Sequence, residues 1–106
     1  MRGRGWSNGS PARSGSGYGI AISKTDRDRH FKRDLESVKI MLEGGPRVTV
    51  KLTESFWRSC SEFRSAEIGR WLLDRGLAPW PKGTPPQFHI EPAENGEFRV
   101  RFVGRG

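Results

Sequence analysis

The chain has 106 residues, 33% of them apolar, with 14 Gly, 7 Pro and one Cys, and its 19 Lys+Arg against 12 Asp+Glu give a formal charge of +7. That length holds one domain with a small core. A single Cys excludes an internal disulfide framework and a Cys-cluster zinc site, and apolar runs of at most three residues exclude a membrane-spanning helix.

The charge is unevenly placed. Residues 1–35 hold eight Lys/Arg and three Asp, whereas residues 36–106 hold eleven Lys/Arg and nine Asp/Glu. A positive arm on a nearly balanced body suits a polyphosphate partner, because counterion release favours clustered cations. The same charge also serves solubility alone.

Met1–Gly17 contains five Gly, four Ser and little apolar surface. It reads as a disordered N-terminal arm, since it buries too little to offset its ordering entropy. Its Arg2-Gly3-Arg4-Gly5-Trp6 is similar to the arginine–glycine segments of RNA- and DNA-binding tails. That resemblance implies that Arg2 and Arg4 meet phosphate or stack on bases, and Arg13 adds a third cation. The stretch is Arg- and Ser-rich, as transit peptides are, but lacks an amphipathic face, and it has no apolar segment for secretion.

Tyr18, Ile20 and Ile22 alternate with small residues and predict a strand over 18–23. The segment 24–34 has one strongly apolar residue, Phe31, and reads as a turn plus charged loop. Its Lys24, Arg27, Arg29, Lys32 and Arg33 are candidate phosphate contacts. Val38, Ile40 and Leu42, then Val48, Val50 and Leu52, form two period-2 runs joined by Gly44-Gly45-Pro46, which predicts a β-hairpin. Lys39, Arg47 and Lys51 project from its polar side.

Thr53 can cap a short helix, and Ser59–Glu62 has the spacing of a second helical turn. Ala66–Arg75 reads as the main helix, capped by Ser65 and ended by Gly76. The segment 77–86 holds four prolines and must be a stiff loop. Its Trp80 and Lys82 offer a rigid ring beside a cation, a candidate base-stacking platform. Phe88 and Ile90 predict another strand, Asn95-Gly96 a turn, and Phe98, Val100 and Phe102 a final strand with Arg99 and Arg101 outward.

The fold expected is α+β: a mostly antiparallel five-stranded sheet or partial barrel with a short helical pair. The domain covers 18–103, after an arm over 1–17 and before a tail over 104–106. Catalytic signals are thin. Cys60 has no His nearby, and the acids among Asp26, Asp28, His30 and Asp34 are interleaved with Arg and Lys, a poor arrangement for a divalent metal. Neither an enzyme nor a cofactor is expected. The function expected is nucleic-acid binding, with DNA ahead of RNA. The arm and the 24–34 loop would grip phosphates, the sheet face would position the strand or duplex, and Arg99 and Arg101 would be nearest to base edges. A cytoplasmic, nucleoid or nuclear location and no membrane partner follow from that reading. The alternative is a protein-docking module using Pro79-Trp80-Pro81 and the aromatic helical pair.

Overall fold

The computed structural model describes residues 1–105. Seven strands form one mixed sheet: β1 (Arg2–Ser7), β2 (Tyr18–Ile22), β3 (Ser37–Leu42), β4 (Arg47–Lys51), β5 (Glu62–Arg64), β6 (Pro86–Pro92) and β7 (Phe98–Arg105). Their order is β4-β3-β7-β6-β1-β2-β5. All neighbours are antiparallel except β3 and β7, which join the two expected hairpins side by side in parallel. The sheet curls until its edge strands β4 and β5 come near each other, so it is nearly closed like a barrel. This corrects the expected five strands.

The largest correction lies in residues 1–17. The expected disordered arm begins with a central strand, β1, hydrogen-bonded to β2 on one side and β6 on the other. The backbone of Met1 extends that ladder, with its amino group donating to the Ile90 carbonyl at 2.6 Å and its carbonyl accepting from the Ile90 N–H. Gly3 and Gly5 face the core because nothing larger fits. A Cβ on Gly3 would lie 2.8 Å from both Ile20 Cγ2 and Ile90 Cδ1, and one on Gly5 would lie 2.8 Å from Pro86 Cδ. Arg2 and Arg4, at the alternate positions, are exposed.

Three helices close the barrel's ends. The first, α1 (Lys24–His30), replaces the expected loop. Ser23 Oγ caps it by accepting from the Asp26 N–H at 3.0 Å. The residue that holds it down is Arg27, whose side chain is buried and donates from Nη1 to the Phe56 carbonyl at 3.0 Å. Phe31, just past the helix, stacks on Phe98 and meets Phe56 and Phe63. With α2 (Glu54–Arg58), α1 covers the end where β2 finishes and β7 begins. Ser59–Glu62 does not make a helical turn. The chain extends there into β5, which pairs with β2.

At the other end, α3 (Ala66–Asp74) is capped by Ser65, as its sequence indicates. Ile68, Trp71 and Leu72 point into the core. Trp71 packs on Phe88 and donates from Nε1 to the Glu43 carbonyl at 3.0 Å. Trp80 lies in the proline-rich loop, half-buried on Tyr18. The alternating residues of β3, β4, β6 and β7 fill the interior. The expected tail does not begin at 104, because β7 runs through Arg105. Gly106 lies outside the described residues. No helix among the described residues is long and apolar enough to cross a membrane.

Candidate nucleic-acid interface

Since Phe88, Ile90, Val100 and the β1 glycines point inward, the intervening residues point out. Cross-strand register then fixes which of them are neighbours. Arg2 pairs with His89, and His89 pairs with Arg101, giving one row across β1, β6 and β7. Neighbours in such a row have Cβ atoms about 5 Å apart. Arg4 stands beside Gln87 and Ala21 on the same face. The next row along the strands reads Glu91, Arg99, Met41 and Arg47. Among the described residues the helices pack toward the interior from the strand ends, α3 through Trp71 on Phe88 and the α1 end through Phe31 on Phe98.

Ion pairing divides this face in two. On its flanks the cations have partners. Arg47 Nε lies 2.9 Å from Glu97 Oε1, close but poorly directed for a hydrogen bond. Arg64 reaches Glu62 at 2.9 Å, and Arg99 lies 3.6 Å from Glu91. At its centre, Arg2, Arg4 and Arg101 are exposed and make no ion pair among the described residues. His89 sits between two of them, and Glu91, two residues along its own strand, lies 3.6 Å from it.

Trp6 lies on the same outer face but is not an open stacking surface. Trp6, Gly19 and Arg64 share a row, and over Gly19 the Arg64 guanidinium closes onto the Trp6 ring at 4.6 Å.

The remaining sequence-derived candidates fall elsewhere. Lys39 and Lys51 share the outer face with Arg99 but sit further round the sheet, Lys39 opposite Thr49 and Lys51 at the β4 edge opposite Ser37. Lys24, Arg29, Lys32 and Arg33 are exposed around α1 at the barrel end, with Arg33 5.9 Å from the Trp57 ring centre. Arg27 is buried in the α1–α2 contact and out of a ligand's reach. Its hydrogen bond to Asp28 holds that carboxyl below its usual value of 3.8; slight desolvation of the carboxyl opposes this, and the charges of Arg27 and Arg33 add to the lowering. Arg13 and Lys82 are exposed toward the α3 end, where the Arg13 carbonyl accepts from Arg70. Phe56 on α2, Phe63 on β5 and Trp71 on α3 are core residues. Asp26, Asp28 and His30 do not converge, and no cluster among the described residues could hold a metal.

Sequence reasoning missed His89. Its alternation with Phe88 and Ile90 marks it as outward, but only the register shows that it stands between two arginines. Comparison of the chain with protein-family models, curated proteins and solved structures finds no match.

Proposed function

We propose that this protein binds double-stranded nucleic acid, DNA ahead of RNA, through the outer face of β1, β6 and β7. The observation that carries this reading is the contrast within that face: acids neutralise the flanking arginines, while Arg2, Arg4 and Arg101, around His89, make no ion pair among the described residues. A patch of exposed, unpaired guanidiniums on rigid strands is suited to phosphate oxygens, which the planar donor fork of arginine meets in pairs. Arg2 and Arg4 project two residues apart on one strand, about 6.6 Å, a spacing comparable to that of successive phosphates.

A duplex is favoured over a single strand by the chemistry of the face. Sheets that hold single strands stack bases on open aromatic rings, and here the one ring, Trp6, is occupied by Arg64. The face offers cations and hydrogen-bond donors, which hold phosphate, so the reading is of binding without catalysis. Its place would then be with nucleic acid in the cytoplasm, nucleoid or nucleus.

The test is fluorescence anisotropy with labelled duplex DNA, duplex RNA and single-stranded DNA at about 50 and 200 mM salt. Duplex DNA should bind most tightly and lose affinity steeply with salt. Retention no stronger than that of an unrelated protein of the same charge overturns the proposal.

A further inference from the structure

Arg2, His89 and Arg101 occupy consecutive positions of one cross-strand row. Histidine is the side chain whose charge changes in the physiological range, so the row changes from two cations to three as the ring protonates. The charged and titratable groups around it come from three strands. The Met1 amino group just precedes β1, Arg2 lies on β1, Arg99 and Arg101 on β7, and Glu91 on the same strand as His89. Glu91 is shared at 3.6 Å between His89 and Arg99, so one carboxylate stands against Arg2, Arg99 and Arg101, and positive side chains remain in excess around the ring. A phosphodiester seated on the row cancels that excess and accepts a hydrogen bond from the protonated ring.

We infer that Arg2, His89 and Arg101 form a single phosphate-binding row in which His89 takes up a proton as nucleic acid binds, making duplex affinity rise as pH falls. This rests on the function proposed above and adds to it a ligand and a regulation. Linkage fixes the sign, because a ligand that favours the protonated form binds more tightly where protons are more available. One proton changes affinity by at most about tenfold per pH unit. Glu91 opposes phosphate in the same place, so Glu91→Gln should tighten binding at both pH values.

The experiment measures duplex DNA affinity at low salt, at pH 8 and pH 6, for the native protein, His89→Gln and His30→Gln. The native protein and His30→Gln should gain roughly three- to tenfold on acidification, and His89→Gln should change less than about twofold. A second measurement follows the His89 ring protons by NMR, whose titration should move to higher pH when duplex is added. If His89→Gln keeps the native rise, or its titration does not move, the protonation role is overturned while duplex binding stands. If the native protein binds no duplex at either pH, the proposed function itself falls and this inference with it.

Discussion

Gly69, in the middle of α3, lies directly against the backbone of Gly15, so that a Cβ on either would overlap the other segment's main chain. Here the loop between β1 and β2 locks onto α3, and Arg70 adds a hydrogen bond to the Arg13 carbonyl at 2.7 Å. Two opposing effects meet in Gly69→Ala. Alanine improves helix propensity by about 1 kcal/mol, but it forces backbone apart at a cost of roughly 1–3 kcal/mol. Backbone yields less readily than a side chain, so the overlap wins. The substitution should lower Tm by several degrees, at about 4–8 °C per kcal/mol for a domain of this size. Thermal denaturation followed by circular dichroism reads the result, and an unchanged or higher Tm would show that the two glycines are not in close contact.

The paired and unpaired arginines should behave differently toward a duplex. Arg2→Gln with Arg101→Gln should flatten the salt dependence of affinity by about 0.9 in log–log slope for each phosphate no longer neutralised. Arg47→Gln removes the same charge from a residue already engaged by Glu97, so its effect on the slope should be smaller. Equal effects from the two sites would mean that only net charge matters.

Trp6→Ala separates strand contact from base stacking. Because Arg64 covers the ring, duplex affinity should stay within about twofold, below the roughly 1–3 kcal/mol that a stacked base usually contributes. A loss of tenfold or more on single-stranded DNA, with duplex binding unchanged, would identify Trp6 as a base platform.

The Arg27–Asp28 contact gives α1 a predictable response to acid. Arg27→Met keeps the aliphatic stem but leaves the Phe56 carbonyl without its donor, which should cost about 1–3 kcal/mol in chemical denaturation. Asp28 is exposed, and its carboxyl is held below 3.8 chiefly by the Arg27 hydrogen bond. With the folded value below the unfolded one, the unfolded chain binds the proton first. The contribution is therefore complete above 3.8 and is lost as pH falls from there through the folded value. Asp28→Asn should lack that part of the acid-side decline, and denaturation curves between pH 5 and 2 would show a shallower fall. A decline as steep as the native one would place the proton on another carboxyl.

Much of the fold was legible because its apolar residues alternate. Val38–Leu42, Val48–Leu52, Phe88–Ile90 and Phe98–Phe102 each announce a strand, and Ser65 and Gly76 bracket α3 as their chemistry requires. The first strand was not legible because its inward positions are Gly3 and Gly5. Buried glycine supplies fit without hydrophobicity, and the strict Arg-Gly alternation was the only trace of a strand. The first helix escaped for a related reason, since its anchor is a buried arginine bonded to a carbonyl rather than an apolar stripe. At the candidate interface, composition identified the cations. Which of them have acidic partners depends largely on strand register: Arg47 meets Glu97 by way of the parallel β3–β7 contact, and Arg99 meets Glu91 across β6–β7.

The placement of β1 also has a consequence during synthesis. Residues 2–7 leave the ribosome long before one of their two partners, residues 86–92. Throughout the interval the nascent strand exposes a bare hydrogen-bonding edge, the kind of surface that recruits neighbouring polypeptides. Arginine repels a second copy and glycine offers it nothing greasy to hold, so the composition that disguises this segment as a tail also guards it until its late partner arrives.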